Sequence, residues 1–294
     1  MVKLLSAFAP AKINLFLRVV GRRGDGYHEL DSLFVPITLG DRIAIEVRDG
    51  RPGAVSIRGR LGSAPADDRN LAVRAARAFV AEFGFEREIV IELDKNVPSG
   101  AGLGGGSSDA GAVLRMLEET ARLPGLALPP ALSDRLIRVA ATLGADVPFF
   151  LLPTPARVRG IGEKISPVAF SDDPALVVAV PPLEAPTALV YRDLKSSDWS
   201  GPAADGEVAS LLAGDYRPDH MVNDLAKPAF ARWPEIGRLK SRLERLNARA
   251  AAMTGSGGGV FAIFKTFDEA SAAAAELRRL EPEARVFTAT IWRQ

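Results

Sequence analysis

In the stretch PSGAGLGGGSSDAGAVL, residues 98–114, closely spaced glycines run into two serines and an amphipathic segment. Glycine loses more backbone entropy on ordering than any other residue, so such a cluster needs a compensating role. Backbone amides that can close around an anion at the start of a helix are one such role, and phosphate oxygens suit them. The stretch lacks the G-K-[ST] ending of a Walker loop and does not fit the dinucleotide G-x-G-x-x-G fingerprint. A tight structural turn explains the glycines as well. Three further stretches carry chemistry-bearing residues. In APAKINLFL, Lys12 stands among apolar neighbours, where its ammonium suits a phosphate or a developing oxyanion; a solvated strand lysine is the ordinary alternative. In GADVPFFL, the Asp146 carboxylate suits orienting or deprotonating an alcohol, or simply terminating a turn. In MTGSGGGVFAIF, the glycines from Gly255 to Gly259 around Ser256 form either a second amide cradle or a β-turn. Together these features point to phosphoryl transfer from a nucleotide, with the acceptor left open.

The elements that must position these residues follow from periodicity and punctuation. AKINLFLRVV alternates as a strand, with Ile13, Leu15 and Leu17 on one face and Lys12, Asn14 and Phe16 on the other. DRIAIEVRDG and AVSIRGR read as a strand pair joined by a turn, and GRRGDGYHEL as a glycine-punctuated connection. NLAVRAARAFVAEFG has a helical period ending at Gly84, and REIVIELDKNVP is a strand feeding the glycine loop. After the loop, Val113, Leu114, Leu117 and Ala121 keep helical spacing, with Ser107, Ser108 and Asp109 at the opening where capping is favoured. LPGLALPP breaks that pattern before a second helix ending at Gly144. A domain boundary is expected between residues 152 and 175. Beyond it, PALVVAVPP reads as a buried strand, DGEVASLLAGDY and IGRLKSRLERLN as helices, and residues 251–280 as strand, glycine turn, strand, helix. ARVFTATIW closes the pattern with a strand, giving an α+β half with an antiparallel sheet.

Composition narrows the class. The 294 residues are 47% hydrophobic, enough for a large core in one or two domains. Thirty-seven basic against 36 acidic residues leave a formal charge of +1, so neither nucleic acid nor an anionic membrane is an expected partner. There is no cysteine, which removes disulfides, thiolate nucleophiles and cysteine metal sites, and the two histidines, His28 and His220, are too far apart for a local metal motif. The apolar N-terminal stretch is interrupted by Lys12 and Asn14 and reads as strand rather than signal peptide, so a cytoplasmic location is expected.

The glycine stretch resembles the P-x-x-x-G-L-G-S-S-A signature of the GHMP kinase superfamily, with an extra glycine-rich step before the serines. APAKINLFLRVVGRRGDGYHELDSLF, LGADVPFFL, TALVYRDL, NDL and MTGSGGGVFAIF occur in the order found in one branch of that superfamily, and the likeness covers essentially the whole chain. It implies an α+β, two-domain fold: a ribosomal protein S5 domain 2-like N-terminal domain over residues 1–160 and a ferredoxin-like C-terminal domain over 161–294, with the site in the cleft between them. It implies ATP and Mg2+ as cofactors and, as acceptor, the 2-hydroxyl of a cytidine diphosphate ester of methylerythritol. Carried over residue by residue, Lys12 and Asp146 become the catalytic pair. Asn14 places the methylerythritol portion, Tyr27 and His28 recognise cytosine, and Gly255, Ser256 and Gly257 border the substrate with Asp146. Pro98, Gly100, Ala101, Gly102, Leu103, Gly104, Gly105, Gly106, Ser107 and Ser108 cradle the ATP phosphates, while Lys95 and Asn96 border the adenosine. The resemblance leaves the metal ligands unassigned and the choice between monomer and homodimer open. The chain departs from the pattern at Asp109, where asparagine also occurs, which suits capping or loop ordering. It departs again at Gly111, where the commoner alanine would strengthen the helix, and at Ala226, where an acid is frequent.

Overall fold

A computed structural model describes residues 2–122 and 132–293. The helix break expected at LPGLALPP lies outside the described residues. The chain divides into two compact units that interleave in sequence: residues 1–11, 40–99 and 104–153 form the first, and residues 12–39, 100–103 and 154–294 the second. The single cut near residue 160 suggested by the sequence therefore differs from the division by contacts. Two long strands, β1 (Lys3–Arg22) and β2 (His28–Arg48), pair with each other and each contribute residues to both units.

In the first unit, β2 pairs antiparallel with β4 (Glu88–Asp94), and β3 (Val55–Arg60) pairs parallel with the other edge of β4. The expected hairpin between β2 and β3 is thus corrected: β4 lies between them. The alternation of Ile43, Ile45 and Val47 matches Ile89, Ile91 and Leu93 across the ladder, so one sheet face is apolar. Helices α1 (Leu71–Phe83), α2 (Gly105–Ala121) and α3 (Leu132–Leu143) supply the rest of that core, Phe79, Leu114 and Leu117 being fully buried. Asn70 caps α1 by accepting the Ala72 N–H at 2.9 Å, and Gly84, at φ 62°, ends the helix where a left-handed residue is needed. After α3, a 3-10 turn spans Pro148–Leu151.

In the second unit, the first half of β2 pairs antiparallel with β5 (Ala156–Gly160), and β5 with β6 (Lys164–Pro167). These two strands occupy the segment read from sequence as a boundary. The remaining sheet contains β7 (Ala175–Val180), β8 (Ala250–Met253), β9 (Val260–Phe264) and β10 (Arg285–Ala289) in the antiparallel order β10-β7-β9-β8. That is the 4-1-3-2 order of a ferredoxin-like sheet, as the resemblance implied. Between β7 and β8 run α4 (Thr187–Asp193), α5 (Asp205–Leu212), α6 (Ala226–Arg232) and α7 (Pro234–Arg245); α8 (Phe267–Leu280) joins β9 to β10. Thr266 caps α8 in a capping box with Glu269. Every residue of β7 and β9 is buried, which accounts for their unbroken apolar runs.

Candidate active site: a phosphate loop, an asparagine hub and an aromatic platform

Helix α2 opens at Gly105 with Gly104, at φ 70°, as its N-cap, and no side chain caps it. This corrects the capping expected of Ser107, Ser108 and Asp109, all of which lie inside the helix. The first helical bond runs from the Ser108 N–H to the Gly104 carbonyl at 2.8 Å. The N–H groups of Gly105, Gly106 and Ser107 therefore precede the ladder at the positive end of a 17-residue helix, the arrangement an anion needs. The Ser108 hydroxyl is buried and has no hydrogen-bond partner among the described residues. Gly111 corrects a second expectation. A Cβ there would stand 2.7 Å from Phe150 Cβ and 2.8 Å from its carbonyl carbon and oxygen, so the glycine serves close packing that helix propensity cannot report.

Lys95 sits at the foot of the same helix in a buried triad. Its ammonium pairs with Asp41 and, at 2.8 Å, with Asp109 Oδ2, while Asp41 Oδ1 accepts the N–H groups of Asn96 at 2.5 Å and Val97 at 2.8 Å. The charge of Lys95 is thus committed to two carboxylates, and Asn96 to the same hub through its backbone. Burial, reinforced by the nearby Asp41 charge, pushes the Asp109 carboxyl up to about 7 against the pull of Lys95. Burial also opposes the Lys95 ammonium, but the two carboxylates outweigh it and hold its pKa above the ordinary value. Asp146 lies half-buried in the turn between α3 and the 3-10 turn, two residues before Pro148.

In the second unit, Asn14 is a hub. Its Oδ1 accepts from Lys12 Nζ at 2.6 Å, from the Gly255 N–H at 2.8 Å and from the Thr254 hydroxyl at 3.2 Å, and its Nδ2 donates to Ser32 Oγ at 2.8 Å. Lys12 is 3% exposed, its ammonium 4.5 Å from the centroid of the Phe34 ring. The strand face that alternation assigned to Lys12, Asn14 and Phe16 is therefore buried along with its opposite. Residues 100–103 of the glycine loop pack on the turn that joins β8 to β9. A Cβ on Gly102 would stand 2.2 Å from the Thr254 carbonyl oxygen, and one on Gly255 would stand 2.6 Å from Gly102 Cα. The Gly259 N–H donates to the Ala101 carbonyl and ties the two glycine segments together, while the Lys12 N–H donates to the Leu103 carbonyl and ties the loop to β1. Asn223 Nδ2 bridges the Met253 and Gly255 carbonyls, and Ser256 shares a 2.6 Å hydroxyl contact with Thr187.

Tyr27 is 63% exposed, while His28 begins β2. The His28 imidazole stacks on Tyr191 with centroids 5.2 Å apart and meets Trp199 edge-on at 5.9 Å. Burial, helped by the Arg22 charge, lowers the His28 pKa, so the ring is neutral at pH 7. Sequence reasoning missed Tyr191 and Trp199. Tyr191 stood in a quoted motif, TALVYRDL, but no spacing rule links it to His28, 163 positions earlier. Thr254 and Ser32, the other partners of Asn14, were equally silent. Among the described residues no group of three or more His, Asp or Glu could hold a metal ion, and no helix is long and apolar enough to cross a membrane.

Glycine amides at a helix end and a buried lysine fixed by an asparagine stand in a chain whose second half is ferredoxin-like, and family models match both halves. The GHMP kinases N terminal domain model matches residues 70–153 and the GHMP kinases C terminal model residues 208–282, and the chain belongs to the GHMP kinase family. Within that family, relatives at about 40% sequence identity share one name. It is 42% identical over 275 residues to the 4-diphosphocytidyl-2-C-methyl-D-erythritol kinase of Thermus thermophilus, covering 93% of each chain. It is 40% identical over 274 residues to the kinase of that name from Syntrophotalea carbinolica, covering 92% of this chain and 94% of the other. A crystal structure of 4-(cytidine 5'-diphospho)-2C-methyl-D-erythritol kinase superposes with a TM-score of 0.83 at 37% identity, covering 99% of this chain and all of that one.

Proposed function

We propose that this chain transfers the γ-phosphoryl group of ATP to the 2-hydroxyl of 4-diphosphocytidyl-2-C-methyl-D-erythritol, giving the 2-phosphate and ADP in the cytoplasmic methylerythritol phosphate route to isoprenoid precursors. The observation that carries the reading is the Lys12–Asn14–Gly255 hub, a buried cation held in one orientation beside the second glycine turn, in a chain 42% identical to a kinase of that name. Asp146 accepts the proton of the 2-hydroxyl as the phosphoryl group arrives, and Lys12 offsets the alkoxide charge. The two side chains lie in different compact units, so their cooperation is tested by kinetics. The amides that open α2 hold the ATP phosphates, with Ser107 and the buried Ser108 hydroxyl supplying side-chain contacts. That unpartnered hydroxyl fits a phosphate-bound magnesium ion, which would be held chiefly by ATP oxygens and water together with Ser108. The ion neutralises phosphate charge when bound. Lys95 and Asn96 order the strand-to-loop passage through Asp41 and edge the adenosine site. Tyr27 provides an open ring face for cytosine, and the neutral His28 offers one donor and one acceptor to the polar edge of the base.

The test is a magnesium- and ATP-dependent phosphorylation assay read by phosphorus NMR, with mevalonate, homoserine and galactose as competing acceptors. The 2-phosphate is the expected product, and Asp146→Asn lowers kcat by about 10²–10⁴-fold with little change in KM. Folded, ATP-binding protein that does not turn over the cytidylyl ester overturns the assignment.

A further inference from the structure

The imidazole of His28 makes no side-chain hydrogen bond among the described residues; two rings, Tyr191 and Trp199, set its direction. Tyr191 belongs to α4. Trp199 stands in an irregular segment, after the short 3-10 turn Ser196–Asp198, and needs some other anchor. Besides the apolar contacts of the Trp199 ring with the core of the second unit, the hydrogen-bonding anchor of the segment is one carboxylate. Asp224, 5% exposed, accepts the Ser200 N–H at 2.9 Å and the Val19 N–H at 2.7 Å on Oδ2, and the Ser200 hydroxyl at 2.5 Å on Oδ1. Its own backbone is fixed to β1, the Asp224 N–H donating to the Leu17 carbonyl at 2.9 Å and the Leu17 N–H to the Val222 carbonyl at 2.8 Å. The Gly201 N–H donates to the Val19 carbonyl at 3.2 Å and completes the bracket. Asp224 thus fastens residues 199–201 to β1, and Trp199 to the edge of His28. The second holder of this segment, the Lys227–Asp198 ion pair, has a lysine side chain that is 77% exposed and contributes little.

We infer that Asp224 is a positioning residue for base recognition: it holds Trp199 against His28 and so fixes the imidazole that reads the cytosine edge. Its neighbour Asn223 serves the glycine turn instead, so this two-residue motif divides its work between phosphate-side and base-side elements. The inference rests on the cytidylyl reading given above. Without the carboxylate, three donors lose their acceptor, the 199–201 segment detaches, and the imidazole loses its edge-on support.

Calorimetric titration with CDP and, separately, ADP tests this on the full chain. Asp224→Ala is expected to weaken CDP by about tenfold and to erase discrimination against UDP, with ADP affinity within about twofold of the parent. Asp224→Asn, whose remaining carbonyl oxygen still accepts both N–H groups, restores CDP affinity to within about threefold. Ser200→Ala loses only the hydroxyl bond and shows an intermediate loss; it carries the test if Asp224→Ala fails to fold. Lys227→Ala binds CDP as the parent does. Equal losses for CDP and ADP, or unchanged CDP affinity in folded Asp224→Ala and Ser200→Ala, overturn the positioning role and leave the kinase reading intact. A parent protein that binds ADP but shows no preference for CDP over UDP overturns both.

Discussion

Replacing Gly111 by alanine sets two physical effects against each other. In an exposed helix interior the change stabilises by up to about 1 kcal/mol, because alanine loses less backbone entropy. Here the new methyl would lie 2.7–2.8 Å from Phe150 Cβ, carbonyl carbon and oxygen. Two of those three atoms are backbone, and Phe150 is 1% exposed with its ring packed edge-on against Phe149 at 5.0 Å, so neither chain nor ring yields easily. Overpacking of this kind costs about 1–3 kcal/mol, leaving a net destabilisation of up to about 2 kcal/mol after the full propensity gain. For a chain of this size that lowers Tm by up to roughly 4 °C. Function feels the same displacement. The Phe150 N–H donates to the Val147 carbonyl at 3.0 Å and the Val147 N–H to the Gly144 carbonyl at 3.1 Å, so a push on Phe150 reaches the turn that carries Asp146. A shift of a few tenths of an ångström at a reacting carboxylate is expected to lower kcat by about tenfold while the KM for ATP holds within about threefold. Thermal melts followed by circular dichroism, with steady-state kinetics on the same preparation, measure both. A Tm that rises by about 1–2 °C with unchanged kcat would refute the packing argument and restore the simple propensity reading.

Gly102→Ala combines a φ of 70° with a Cβ placed 2.2 Å from the Thr254 carbonyl oxygen, and should separate the two glycine segments. ATP affinity is expected to fall by about tenfold or more, measured by titration with a non-hydrolysable analogue; an unchanged Kd would show that the contact does not shape the loop. Asp109 titrates near 7 in the folded protein against 3.8 for the free carboxyl, so the folded state binds the extra proton between those values. The sign follows: this group favours folding below about pH 4 and that contribution is lost as pH rises towards 7. Asp109→Asn removes the effect, and the slope of urea-derived stability between pH 4 and 7 becomes less negative than the parent's; parallel slopes would place the titration elsewhere.

Much of the architecture was readable because local rules dominate there. The end of α1 at Gly84, the buried runs of β7 and β9 and the glycine turn before β9 each follow from signals within a dozen residues. The placing of β4 between β2 and β3 was not readable, since the short connection between β2 and β3 mimics a hairpin and only pairing energetics over longer range select β4. At the candidate site, residue type and motif order singled out Lys12, Asn14 and His28, which the structure places in the asparagine hub and the ring cluster. They did not reach Asp41, which looks like any strand-edge acid until its carboxylate is seen to accept two backbone N–H groups and Lys95. Nor could they show why Gly111 departs from alanine, because the reason is the backbone of Phe150, 39 positions on.

The hub at Asn14 is completed only by residues far along the chain. Its oxygen is claimed by Thr254 and Gly255, 240 and 241 positions further along the chain. A growing polypeptide has Lys12, Asn14 and Ser32 early, but the two remaining donors to the Asn14 oxygen arrive only with residues 254 and 255. If Lys12 acts as proposed, a chain ending before residue 254 should lack activity, because the asparagine that meets the lysine is then without its Thr254 and Gly255 partners. Contacts of such span also make closure of this hub a late event in refolding, so recovery of activity from denaturant should lag behind recovery of helical signal.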